Sequence, residues 1–197
     1  MDFHRIKKIV QTEHTLHENE WKGAVVFLCN EENVFFIRRS EDMPTHGGQI
    51  AFVGGHKKDG EKDPWIVAQR EFEEETGFES EKIEFLGYLP AVMTARLQPI
   101  VPVIAKLNLS TEEFMLGVTS NGEWDDCVAY PWSELTREDS WQFAWRSGFA
   151  KFPVLFHPMK RGTFIPKTND FHTHLLWGAT ASMVWDFLRL YYKSHER

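Results

Sequence analysis

The stretch Gly54-Gly55-His56-Lys57-Lys58-Asp59-Gly60-Glu61, followed after eight intervening residues by Arg70-Glu71-Phe72-Glu73-Glu74-Glu75-Thr76-Gly77, decides the fold. Between its halves, Asp63-Pro64 reads as a helix start, because an Asp side chain caps free backbone N–H groups and proline's fixed φ suits the first helical position. Gly77 reads as the stop. On the helix between them, at ~100° per residue, Glu71, Glu74 and Glu75 share one face and Glu73 points away. Like charges on adjacent turns repel, a cost removed when a hard cation draws the carboxylates together. Trp65, Ala68 and Phe72 form a neighbouring apolar stripe that can dock the helix on a core. An acidic run by itself is usually a solvated face. The glycines change that reading: a Gly54-Gly55 pair directly after Ile50-Ala51-Phe52-Val53 suggests a strand ending where backbone approaches something closely, with an offered carbonyl as a further metal ligand. Together these residues read as a site for a divalent metal and a diphosphate.

The pattern resembles the Nudix box, written Gly, five residues, Glu, seven residues, Arg-Glu-U-x-Glu-Glu-x-Gly-U with U apolar. Gly55, Glu61, Arg70, Glu71, Phe72, Glu74, Glu75, Gly77 and Phe78 fill its fixed positions, with eight rather than seven residues before Arg70. That extra residue is similar to the coenzyme A pyrophosphatase-like branch of the family. Phe35-Phe36-Ile37-Arg38-Arg39-Ser40 and Pro44-Thr45-His46-Gly47-Gly48-Gln49-Ile50-Ala51-Phe52-Val53-Gly54-Gly55 resemble that branch's second signature, departing from it at Pro44 and Val53. Asn121-Gly122-Glu123-Trp124 and Leu176-Trp177-Gly178-Ala179-Thr180-Ala181 resemble two further family segments, so the likeness spans roughly residues 22 to 190.

The resemblance implies an α/β fold, a Nudix-type α/β/α sandwich with a mixed β-sheet. It divides the chain into an N-terminal helical extension over 1–20 and a Nudix hydrolase domain over 21–197. The implied reaction is pyrophosphohydrolysis of a nucleoside diphosphate linked to another group, dependent on Mg²⁺ or Mn²⁺, with coenzyme A or a derivative as first choice. ADP-ribose, NADH or a nucleotide sugar are the alternatives, and a non-catalytic nucleotide-binding domain is a more distant one. Glu71, Glu74 and Glu75, with the Gly55 carbonyl, are the expected metal ligands. Arg70 is expected to orient the glutamates, with Glu61 beside it, and Glu123 to supply a further carboxylate. Arg38, Arg39, His46, Gln49 and Gly54 are the expected substrate contacts, one of the two arginines reading a 3′-phosphate, since neighbours on a strand face opposite ways.

At 197 residues and 42% hydrophobic, the chain can bury a full core as one large domain. A net charge of −7 disfavours nonspecific nucleic-acid binding, which draws on Lys and Arg to neutralise phosphates. Cys29 and Cys127 stand alone among apolar residues and read as reduced core thiols in a cytosolic setting. The N-terminus shows no long apolar signal region, and the apolar stretch Leu175 to Tyr192 contains Asp186 and Arg189 and reads as an amphipathic core helix, not a membrane span.

Residues 3 to 18 are expected as a helix with Phe3, Ile6, Ile9 and Val10 inward. Strands are expected at Gly23 to Cys29 and Val34 to Arg38, joined by the hairpin signal Asn30-Glu31-Glu32-Asn33, and at Ile83 to Leu89, Ile100 to Leu107 and Asp126 to Tyr130. Helices are expected from Ser133 onward and over Ala179 to Lys193. The aromatic series Trp141, Phe143, Trp145, Phe149, Phe152, Phe156 reads as packing, with a homodimer surface or a wall for an adenine ring as sharper alternatives. His172 and His174 share a strand face but lack a third ligand for zinc.

Overall fold

The computed structural model describes residues 1–14, 16–17, 20–94, 97–144, 154–159, 165–166 and 174–193, with backbone alone at 144, 154, 165 and 166. In chain order the elements are α1 (Phe3–Ile9), β1 (Gly23–Cys29), β2 (Asn33–Arg39), β3 (Ile50–Ala51), β4 (Val53–His56), α2 (Pro64–Thr76), β5 (Ile83–Tyr88), β6 (Val92–Met93), β7 (Pro99–Leu107), α3 (Thr111–Gly117), β8 (Trp124–Pro131), α4 (Trp132–Leu135), β9 (Gln142–Ala144), β10 (Val154–Met159), β11 (Ile165–Pro166), β12 (His174–Trp177) and α5 (Gly178–Lys193).

The main sheet runs β11-β8-β2-β1-β7-β5, with β3 on β2, β4 on β1 and β6 on β7. It is mixed: β1 lies parallel to β7, Val26 opposite Val103, while β2 and β4 pair with β1 antiparallel. The central strands are near-continuous apolar runs because both faces are covered. On one face Val26, Leu28, Phe35, Ile37 and Val103 pack with Phe72 of α2 and Phe114 of α3. On the other, Phe27, Phe36, Phe52 and Ile104 pack with Ile6 of α1 and Phe187 of α5. A mixed sheet between two helical layers results, and a smaller antiparallel sheet, β12-β10-β9, adjoins it.

Several elements differ from their sequence expectation. The N-terminal helix ends at Ile9 because Val10 turns extended and Gln11 exchanges backbone hydrogen bonds with Tyr88 at 3.2 and 2.8 Å. Leu175 to Tyr192 is not one helix. Its first residues form β12, and Gly178 at φ 65°, a conformation that strains any residue with a Cβ, turns the chain into α5. The helix expected from Ser133 is the single turn α4. Cys29 and Cys127 are buried and joined in no disulfide, and burial pushes the Cys29 thiol up. Trp141 packs against His157 and Trp185, whereas Phe143 is exposed; Trp145, Phe149 and Phe152 lie outside the described residues. His174 is buried on β12, and His172 lies outside the described residues. No described helix is long and apolar enough to cross a membrane.

Candidate active site

α2 is set on the sheet by its ends and its apolar stripe. Asp63 caps it by accepting from the Trp65 N–H at 2.8 Å and is itself held by the Tyr88 hydroxyl at 2.6 Å. Proline follows at the first helical position, and the helix stops at Gly77, whose N–H reaches the Glu73 carbonyl at 3.1 Å. Val67, Ala68 and Phe72 are fully buried, with Trp65 packed at the margin. This seating turns Glu71 and Glu75 toward the strands, 9% and 2% exposed. Glu74 lies at the rim and Glu73 in solvent, where it accepts from the Ser80 N–H at 2.9 Å.

Arg70 holds the acidic face together. Its guanidinium donates to Glu61 Oε1 at 2.7 Å, Glu71 Oε1 at 2.6 Å, Glu74 Oε2 at 3.0 Å and the His56 carbonyl at 3.1 Å. Lys58 adds a second cation, 2.9 Å from Glu74. The consequences follow partner by partner: hydrogen bonding to Arg70 holds the Glu61 carboxyl below its ordinary range, hydrogen bonding to Lys58 does so for Glu74, and Arg70 is raised. Desolvation instead raises Glu71, with Arg70 opposing it.

Glu75 is the anomaly. Burial first, then the charges of Glu71 and Glu123, push its carboxyl up to about 8, against partial relief from Arg39 and a hydrogen bond from the Gly54 backbone. Its Oε2 is buried without a hydrogen-bond partner. Such an orphaned oxygen among like charges suits a hard cation, which binds oxygen ligands. Gly55 faces the same group. A Cβ on it would lie 2.3 Å from Glu71 Oε1, so a larger residue here would push the Glu71 carboxylate aside. The Gly55 carbonyl is directed at Gly23, where a Cβ would come within 2.2 Å of it, so that the small residue leaves it room. Among the described residues no three carboxylates yet converge on one point; Glu71 and Glu74 are instead spanned by Arg70, the cation available to them. The donor set nevertheless fits a hard divalent ion: all oxygen, two members buried, one unsatisfied.

The two arginines of β2 part company at a register shift in its pairing with β8, where Arg38 faces Asp126 and Arg39 faces Trp124. Arg38 is buried and paired to Glu41 and Asp125 at 3.7 and 3.8 Å. Arg39 turns to a cavity of about 280 Å³ that it shares with His46, Gln49 and Gly54. His46 holds a left-handed backbone (φ 62°), and its Nδ1 lies 3.2 Å from Gln49 Oε1. Glu123 sits half-buried in the turn before β8, its carbonyl accepting from the Ser40 N–H at 2.9 Å. The structure thus brings Glu71, Glu75, Glu123, Arg39 and Gly54 together, and pairs Arg38 with Glu41 and Asp125. Sequence reasoning missed Lys58 and the partners Glu41 and Asp125. It also missed the cavity's far wall on α5, although the quoted segment around Trp177-Gly178 was a signal for it.

These features define an α/β domain whose helix carries two buried carboxylates, of a chemistry that suits a hard cation, beside a ligand-sized cavity. The NUDIX domain model matches residues 20–147, and the chain belongs to the Nudix family. It is 30% identical over 173 residues to Nudix hydrolase 22, chloroplastic, of Arabidopsis thaliana, covering 83% of this chain and 53% of that one. It is likewise 30% identical over 169 residues to that plant's Nudix hydrolase 15, mitochondrial, covering 83% and 56%. The chain therefore spans about half the length of these two relatives. An uncharacterized Nudix hydrolase NudL of Photorhabdus laumondii is 26% identical over 175 residues, covering 86% and 84%. Among solved structures, a MutT/nudix family protein from Enterococcus faecalis is similar at TM-score 0.47 and 14% identity, covering 89% of this chain and 63% of that one.

Proposed function

We propose that this chain is a Mg²⁺- or Mn²⁺-dependent pyrophosphohydrolase that cleaves the diphosphate of a nucleoside diphosphate linked to another group. Coenzyme A or a derivative is the first choice, giving 3′,5′-ADP and 4′-phosphopantetheine. The observation that carries the reading is Glu75, buried, lacking a partner for one oxygen, and crowded by Glu71 and Glu123. In this account Glu71, Glu74 and Glu75 would hold the metal, and the Gly55 carbonyl, directed at Gly23 in this structure, would have to turn toward them to join the set. A divalent ion in that position supplies charge neutralisation for the diphosphate and lowers the pKa of water. Arg70 keeps the glutamates in place through its ion pairs, and Glu61 fixes Arg70 in turn. Glu123 is near enough to Glu75 to raise its pKa, which supports a role as proton acceptor for the attacking water. Arg39 borders both Glu75 and the cavity, which supports a contact with the diphosphate itself instead of a remote 3′-phosphate.

ADP-ribose, NADH or a nucleotide sugar is the second reading. It is favoured by the commitment of Arg38 to Glu41 and Asp125, which leaves Arg39 as the one arginine on the cavity wall among the described residues. Product analysis with Mg²⁺ separates the two, using coenzyme A, its oxidised and acylated forms, ADP-ribose and NADH. Cleavage of coenzyme A at the anhydride is expected; cleavage of ADP-ribose or NADH in its place selects the second reading.

A further inference from the structure

We infer that the cavity between β3, β4 and the first turns of α5 receives one half of the substrate and selects a phosphorylated aliphatic arm over a nucleoside, with Met183 as the residue that sets this preference. The inference rests on the diphosphatase reading, because Arg39 and Gly54 line the cavity and are also the two groups that act on the Glu75 carboxylate. Whatever is attached directly to the phosphate at that carboxylate is therefore what enters.

The cavity's chemistry is graded. Its most buried lining residues, Ile50, Phe52 and Met183, are 3 to 4% exposed and wholly apolar. The polar residues His46, Gln49 and Arg39 are more exposed and stand toward the rim. Among the described lining residues none is acidic and Arg39 is the one arginine or lysine. A nucleobase buried against Ile50, Phe52 and Met183 would leave its edge nitrogens unpaired, which is the costly way to bury a polar group. Away from the rim, the side-chain hydrogen-bonding groups among the described lining residues are the hydroxyls of half-buried Thr94 and Thr180 and the indole N–H of Trp177, while Ile50, Phe52 and Met183 offer a base edge no donor. Among the described lining residues a second phosphate would meet no arginine or lysine besides Arg39. Hydrocarbon beside a phosphate fits each of these constraints. The wall contributed by Trp177 of β12 and by Gly178 to Met183 of α5 lies beyond the segment matched by the family model.

The test is binding, measured by calorimetry with Mg²⁺ present, of n-alkyl monophosphates from ethyl to hexyl, of 4′-phosphopantetheine, and of AMP. In the wild type the Kd of the alkyl series is expected to fall about fourfold per added methylene until the cavity is full, the factor that follows from hydrophobic transfer of one CH₂. Met183→Trp, which fills the cavity, is expected to flatten the series and weaken 4′-phosphopantetheine by roughly tenfold, while AMP changes by less than about twofold. Thr180→Phe narrows the cavity from a half-buried position and is expected to produce the same selectivity change, so that loss through misfolding of the Met183 variant is separable. Dependence of 4′-phosphopantetheine on Met183 identifies a pantetheine arm, and dependence of the alkyl phosphates alone a simple hydrocarbon; either supports the inference. A flat wild-type series, no measurable alkyl phosphate binding, or loss of AMP binding in the variants overturns it. Because binding needs no turnover, a chain that cleaves diphosphates yet fails here overturns the subsite alone. A chain that passes here yet cleaves no diphosphate overturns the reaction instead.

Discussion

Replacing Glu75 with Gln should stabilise the metal-free protein at alkaline pH while destroying its activity. The Glu75 carboxyl rises from an ordinary 4.5 to about 8 in the folded chain, so the folded state keeps its proton after the unfolded chain has released it. Stability is therefore full below pH 4.5, is lost as pH rises toward 8, and stays at the lower level above that. A difference of ~3.5 pK units at 1.36 kcal/mol each places the penalty on the order of 4 kcal/mol at pH 8 and near zero at pH 4.5. Glu61 and Glu74, whose carboxyls are lowered, contribute in the opposite sense, losing stability as pH falls, but they do so in both proteins and cancel in the difference. Urea titrations of wild type and Glu75→Gln in EDTA between pH 5 and 9 give that difference curve directly. It should open progressively with pH. Parallel curves would show that Glu75 carries no uncompensated burial, and the physical case for a cation beside it would fall.

Glu74→Gln should lower kcat on the order of a hundredfold or more through loss of one ligand charge, with little change in metal-free stability, whereas Glu73→Gln should keep near-wild-type turnover; equal losses in steady-state assays would refute the placement of the two on α2. Gly55→Ala should cost about 1–3 kcal/mol in urea unfolding, because its Cβ would meet the Glu71 carboxylate at 2.3 Å. Arg39→Ala should reduce kcat/KM by ~1.5–3 kcal/mol equally for coenzyme A and dephospho-coenzyme A, and a loss confined to coenzyme A would return the 3′-phosphate to Arg39. Arg38→Ala should instead lower the unfolding midpoint, at a cost of about 1–3 kcal/mol, and leave kcat/KM within a fewfold, since it deletes a buried partner of Glu41 and Asp125.

The acidic helix was legible because its signals are local: a capping Asp63, Pro64, a 3.6-residue charge pattern and Gly77 all fall within one segment. The central strands were legible for a related reason, since burial on both faces leaves uninterrupted apolar runs. What escaped depends on distant contacts. The N-terminal helix is cut short by Tyr88, a partner 77 positions from Gln11, and no nearby residue announces it. Which arginine of the Arg38-Arg39 pair meets the cavity is decided by a register shift against β8, and strand alternation alone assigns only that they differ. α3 was overlooked although Ser110 and Glu113 form a capping box, a signal that was present in the sequence. The cavity's far wall comes from α5, more than a hundred residues from the box, so its lining required the fold.

The central claim is hydrolysis at a diphosphate through the Glu71-Glu74-Glu75 face, and the most direct measurement is product analysis by mass spectrometry in ¹⁸O-labelled water with Mg²⁺ and coenzyme A. The account predicts 3′,5′-ADP and 4′-phosphopantetheine, one of them carrying a single label, with both products absent in EDTA and reduced on the order of a hundredfold or more in Glu75→Gln. No anhydride cleavage of any compound in the panel, or cleavage that persists undiminished in Glu75→Gln, would contradict it.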